Sequence, residues 1–244
     1  MIFTEVFCFN PVKHTVYIIL FICTGCFYFK NQPVAESENP ELPGSFAADA
    51  INLEGFIPKD LVAKYYQDNG FHFQWTDSLK LNPPGDSIVS LIKSAASYGL
   101  IATDYHFSEV QEILSSPLSQ SNAVTLDLYL TDSFFAMRHH LKYGRMSQTD
   151  TLRADLTKLM DEAALTSLEK ALTSNNVRQE LESQEPTFVE YHALKNALKH
   201  LLRKRSEDTV YTKKIRQLGV NMERWRWQKP LPDRYVRVNS PSFL

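Results

Sequence analysis

After residue 58 the apolar positions recur mostly at helical spacing. Pro58 stands at a first-turn position of PKDLVAKYYQDNG, where its missing N–H does no harm. Leu61, Val62 and Tyr65 share one face, and Gly70 ends the run. Phe71 to Trp75 (FHFQW) alternates aromatics instead, as a short extended piece would. Asp86 is placed to cap DSIVSLIKSAASYG, with Ile88, Leu91, Ile92 and Ala95 in register and Gly99 as C-cap. Leu100 to His106 reads as a turn with a second cap at Thr103 or Asp104, and Phe107 to Ser115 as a short helix. Val124 to Tyr143 carries the strongest pattern. Leu126, Leu130, Phe134, Met137 and Leu141 repeat at helical spacing, and the opposite positions are largely apolar too. A helix apolar on most sides is expected at the centre of a bundle, and Gly144 ends it. Further helices are expected over 150–173, 187–204 and 207–222, the last with room to run on to Trp227.

The pattern changes after Pro230 and Pro232, where Arg234 to Asn239 (RYVRVN) alternates like a strand. A lone strand leaves its backbone groups unpaired. The expectation is therefore the first strand of a sheet whose other strands lie outside these 244 residues. At the other end, Thr15 to Phe29 is a 15-residue apolar run behind Lys13 and His14. It is shorter than the roughly 20 residues of a membrane-spanning helix and fits a secretory signal. Cys23-Thr24-Gly25-Cys26 resembles a bacterial lipoprotein cleavage box with Cys26 as the acylated residue, although Cys23 stands where an aliphatic residue is usual. An uncleaved anchor and a buried N-terminal helix are the other readings. Asn31 to Ser45 is polar and acidic with three prolines, which suits a tether rather than a packed segment.

Composition narrows the chemistry. At 43% hydrophobic, 12% aromatic and 22% charged, the chain is neither disordered, collagenous nor a coiled coil. A net charge of −2 gives no global attraction for nucleic acid, and none is expected as a partner. The cysteines are Cys8, Cys23 and Cys26, so the body holds no thiol nucleophile, redox pair, cysteine-ligated zinc or disulfide. Eight glycines in 244 residues do not build a phosphate cradle, and no cofactor is expected. The histidines are 14, 72, 106, 139, 140, 192 and 200. His139 and His140 point to different helix faces and there is no HExxH, so no metal is expected. The pairs Asp127/Asp132 and Asp161/Glu162 read as solvated faces and caps, and no GxSxG elbow marks a serine nucleophile. Lys195 to Arg237 is basic, and it reads as a solvated helix face before it reads as a patch for an anionic polymer or lipid headgroup. Within it, Asn221-Met222-Glu223-Arg224-Trp225-Arg226-Trp227 reads as a junction pinned by aromatics, with Arg224 or Arg226 paired to Glu223.

These residues together resemble the large bacterial L,D-transpeptidases, the branch with a helical scaffold domain. Val220 to Leu244 looks like the opening of that family's catalytic domain, and Glu223-Arg224-Trp225-Arg226-Trp227 followed by Val238-Asn239-Ser240-Pro241 is the most specific part. Phe71 to Thr76 looks like its aromatic–Trp segment. Tyr98-Gly99-Leu100 with Asp104-Tyr105-His106, the Leu126-Asp127 to Thr131-Asp132 helix continuing to Tyr143-Gly144-Arg145, and Pro186 with Tyr191, Leu194 and Ala197-Leu198 resemble further motifs. The resemblance covers residues 56–244. It implies a mainly α chain: signal or anchor over 1–29, acidic linker over 30–52, helical scaffold bundle over 53–227, and over 228–244 the first β-strand of a missing β-rich catalytic domain. Asn221, Glu223, Arg224, Trp225, Arg226, Trp227, Asn239 and Pro241 would form a structural junction. The family joins peptidoglycan stem peptides through a cysteine thiolate activated by histidine, on HG and SxGCxR motifs. Neither motif occurs here, so no catalytic residue carries over and the chain itself is expected to be inactive. Peptidoglycan or its stem peptides, and a membrane reached through the N-terminal anchor, are the implied partners. The implied location is the periplasmic face of a bacterial membrane. A non-catalytic module binding peptidoglycan or an envelope partner is the alternative.

Overall fold

A computed structural model describes residues 45–54, 56, 59–146, 162–204 and 209–228. The apolar run at 15–29, Cys26, most of the acidic tether, the first part of the helix expected from 150, and the RYVRVN strand with Asn239 and Pro241 lie outside them. Eight α-helices and one two-stranded hairpin make up the regular structure of the described residues, so the chain is mainly α as expected.

Helix α1 (Lys59–Asp68) buries Leu61, Val62, Tyr65 and Tyr66 on one face. It stops where Gly70 and Phe71 take positive φ, at 61° and 57°. Phe71 to Trp75 is a connector rather than a strand, apart from one bridge between Ser45 and His72. Pairing starts just beyond it, between β1 (Thr76–Asp77) and β2 (Lys80–Leu81). Helix α2 (Pro83–Lys93) begins earlier than the sequence pattern suggests. Its cap is Asn82, not Asp86: the Asn82 side chain accepts from Gly85 N at 2.9 Å, and Pro83 and Pro84 need no partners in the first turn. Asp86 lies inside that turn, where its charge suits the helix N-terminus. The expected single helix to Gly99 breaks at Ser94, whose hydroxyl donates to Ser90 O and Leu91 O. A 3₁₀ turn (Ala95–Tyr98) follows, and Gly99 closes it at φ 69°. A second 3₁₀ turn (Ala102–Tyr105) has no side-chain cap, so neither Thr103 nor Asp104 acts as one.

After α3 (Phe107–Leu114) comes α4 (Gln120–Tyr143), capped by Ser119 and buried on all sides at its centre. Helices α5 (Glu162–Thr173) and α6 (Val177–Glu182) pack beside it. The short α6, started by the Asn176 cap, was not legible in the hydrophobic pattern. Helices α7 (Val189–Lys204) and α8 (Thr209–Arg226) run antiparallel, joined where Tyr211 donates to Leu201 O at 3.1 Å.

Burial divides into two clusters. The larger runs from Phe46 to Leu181 around Trp75 and α4. The smaller is Tyr191, Leu198 and Met222, with Phe188, Leu194, Leu202, Ile215, Leu218 and Trp225 packed against them. The α7–α8 pair therefore has its own apolar centre, and polar contacts dominate where it meets the rest.

Candidate functional site

Asp127 and Asp132 are not on a solvated face. Both are buried on α4, Asp127 completely. Asp127 Oδ1 accepts from Tyr66 Oη at 2.7 Å and Gln74 N at 2.9 Å, and Oδ2 from Trp75 N at 2.9 Å. Thr131 Oγ1 accepts from Trp75 Nε1 at 2.8 Å beside it. Burial pushes the Asp127 carboxyl up to about 6 against these donors, which favour the charge. The cluster thus ties the connector 74–76 to α1 and α4. Asp132 Oδ2 meets His106 Nε2 at 2.7 Å, with Tyr129 stacked on the imidazole at 4.4 Å. Burial raises the Asp132 carboxyl while His106 opposes the rise. Ser133 does not complete a nucleophilic triad with them, because its hydroxyl donates to Tyr105 O and Tyr129 O.

A second polar group forms a seam between the two clusters. Arg226 is 4% exposed and spans it. Its Nη1 donates to Glu223 Oε2 at 3.0 Å, and its Nη2 to Tyr98 O at 2.5 Å and Tyr191 Oη at 3.1 Å. Burial opposes the Arg226 charge, and Tyr191 and Glu223 more than offset it. Glu223 Oε1 accepts from Met146 N at 2.7 Å, just past the end of α4. Gly144, at φ 88°, faces the same place, and a Cβ there would lie 2.5 Å from Trp227 Nε1 and 2.6 Å from Glu223 Oε1. Arg145 pairs with Asp104. Tyr105 Oη meets His140 Nδ1 at 2.8 Å, and burial, then the charges of His139, Arg145 and Arg226, hold the imidazole down at about 3. The ring is therefore neutral where it meets the tyrosine hydroxyl. On the far side Tyr191 Oη donates to Glu185 Oε1 at 2.8 Å, and Lys195 pairs with Glu185 and lies over the Tyr98 ring at 4.4 Å. Helix α8 also comes close to the 3₁₀ turn at Gly99, where an added Cβ would sit 3.3 Å from Gly219 Cα.

Asn221, Glu223, Arg224, Trp225, Arg226 and Trp227 therefore separate by role. Glu223 and Arg226 are the buried pair, so the partner of Glu223 is Arg226 and not Arg224. The helix continues through Arg226 instead of turning extended, and the two tryptophans diverge. Trp227 lies against Gly144, whereas Trp225 packs on Phe188 with ring centroids 5.1 Å apart. Asn221, Arg224 and Trp225 line an open groove of about 520 Å³ with Glu190, Ala193, Leu194 and Ala197 of α7. The basic stretch is not uniformly solvated either. Lys195 and Arg226 are buried in the seam, while Arg203, Lys204, Lys213, Lys214, Arg216 and Arg224 are exposed.

Apart from Arg226 Nε and Trp227 Nε1, which are buried without a hydrogen-bond partner among the described residues, the seam's groups pair donors with acceptors across three elements. Among the described residues no three His, Cys, Asp or Glu side chains are grouped to hold a metal ion, and no helix is long and apolar enough to cross a membrane. The buried Asp127 had one sequence signal, an acid flanked by Leu126, Leu128 and Leu130 in a helix apolar all round. A family model described as a scaffold domain matches residues 60–198. No curated protein and no solved structure matches the chain.

Proposed function

The chain belongs to the scaffold-domain family, and from that premise we propose that it is the scaffold portion of a peptidoglycan L,D-transpeptidase, serving 3–3 crosslinking of the cell wall. One observation carries the reading. Stretches of sequence that resemble separate transpeptidase motifs meet one another in the seam. Tyr98-Gly99 and Asp104-Tyr105 come from the turns, Gly144-Arg145 from the end of α4, Tyr191 from α7, and Glu223 with Arg226 and Trp227 from α8 and its end.

The work of such a scaffold is to hold direction. Arg226 is fixed by three acceptors on α8, α7 and the turn before Gly99. The end of α8 is thereby oriented relative to α4. No thiol chemistry is assigned to the chain, since HG and SxGCxR occur nowhere in its sequence. Export, anchoring through Cys26 and work at the periplasmic face belong to the same proposal. They are supported by the apolar run, the lipoprotein-like box and the acidic tether.

The test is made in the organism that encodes the chain. Muropeptides are released from the walls of cells with and without it, and crosslink types are counted by mass spectrometry. The expected result is a loss of 3–3 crosslinks without the chain, restored by wild type and not by Arg226→Met. An unchanged crosslink profile overturns the reading.

A further inference from the structure

The exposed side of the α7–α8 pair differs in charge from the rest of the molecule. The whole chain carries −2. Yet over residues 189–228 the described exposed charges are Arg203, Lys204, Lys213, Lys214, Arg216 and Arg224 against Glu190 alone. None of those six cations makes an ion pair within the described residues. Lys213, Arg216 and Arg224 follow i, i+3 and i+11 spacing, so they share one stripe of α8, about 16 Å long at the helical rise. The stripe ends at the groove, where Arg224 stands beside Trp225 and the small side chains of Ala193 and Ala197 leave the trough open.

We propose that this face is the surface by which the chain holds peptidoglycan. Stem-peptide carboxylates pair with Lys213, Arg216 and Arg224, and apolar atoms of the bound strand lie against Trp225 in the groove. The inference rests on the reading of the chain as a cell-wall scaffold and adds the site of contact. Charge complementarity selects the partner: stem peptides carry carboxylates, and the stripe along α8 presents three cations to them. The shape favours a strand over a lipid surface. Trp225 is recessed between two helices rather than projecting, and an apolar trough gains nothing from a flat headgroup layer.

The experiment is co-sedimentation of the full chain with purified sacculi, with sacculi whose carboxylates have been amidated, and with anionic phosphatidylglycerol vesicles. Wild type is expected to bind sacculi and to be released as salt rises. Lys213→Glu with Arg216→Glu, and amidation of the sacculi, should each weaken binding at least about tenfold. Ala197→Phe, which fills the groove without changing charge, should weaken it as well. The control is Lys80→Glu with Lys93→Glu, the same charge change at exposed positions outside α7 and α8, and it should bind as wild type does. Circular dichroism of each variant confirms that the helices remain. Equal loss in the control, insensitivity to amidation, wild-type binding by Ala197→Phe, or capture by vesicles in preference to sacculi overturns the proposal. If sacculi are not bound while crosslinks in cells still depend on the chain, this inference fails and the functional reading stands. Binding without any effect on crosslinks means the reverse.

Discussion

Tyr66 and Asp127 show how much a single buried contact decides. The Tyr66 hydroxyl lies 2.7 Å from both Asp127 Oδ1 and Thr131 Oγ1, out of reach of water. Tyr66→Phe removes it and leaves the carboxylate one donor short. The expected loss is about 1–3 kcal/mol of unfolding free energy, read from denaturant titration. Asp127 itself makes stability depend on pH. Its carboxyl ordinarily titrates at 3.8 and burial raises it to about 6 in the folded state. The folded protein then keeps this proton to higher pH than the unfolded chain does. The stability that Asp127 contributes is therefore full below pH 3.8 and is lost as pH rises through about 6. His140 acts in the opposite sense: held at about 3 against an ordinary 6.5, it is buried neutral, and its contribution is lost as pH falls below 6.5. The Asp127 part is isolated by the difference in Tm between wild type and Asp127→Asn. That difference should shift against wild type from pH 4 to pH 7, and a flat difference would refute it. For Asp127 the flanking leucines were the one sequence signal, and a weak one, because an acid in an apolar helix and an acid on its solvated side occupy similar local strings.

At the level of elements, helix bodies follow the hydrophobic pattern and helix ends follow single side chains. The buried face of α1 and the central place of α4 were both readable from spacing. The start of α2 was not, because Asn82 and Asp86 are both competent caps and only the path of the preceding hairpin selects Asn82. Gly85 tightens that choice, since a Cβ there would collide with the Trp75 carbonyl. The junction of α4 with α8 depends on Gly144 in the same way. Gly144→Ala meets both a left-handed φ of 88° and contacts of 2.5 and 2.6 Å with Trp227 and Glu223. The substitution should cost about 2 kcal/mol or more and move the Trp227 indole, seen as a shifted tryptophan emission alongside the lowered Tm. Wild-type emission and stability would show that the junction gives way without penalty.

At the level of the molecule, two apolar clusters are joined by a seam of charges. The smaller has three fully buried members, so less apolar surface holds α7 and α8 than holds α4. Native-state hydrogen exchange should show amides of 189–204 and 209–226 opening together, at lower free energy than those of 126–141. Arg226→Met should lower the protection of the α7–α8 pair and leave α4 largely unchanged, because it leaves Glu223 buried without its cation. Uniform protection across both clusters would mean that the seam is as strong as the core.

The sequence by itself determined the helical class, the central position of α4, the absence of a thiol in the body and the aromatic, charged character of 221–227. These follow from periodicity and residue type, which act over a few turns of chain. Only the tertiary structure decided that Asp127 is buried, that Arg226 rather than Arg224 pairs with Glu223, and that the basic stretch divides into a buried part and an exposed stripe. The burial of Asp127 and of Arg226 depends on which element comes to lie opposite, across 50 to 130 residues of intervening chain, whereas the Glu223–Arg226 pair itself is an i,i+3 contact along one helix. A charged side chain has no burial of its own until a partner helix closes over it.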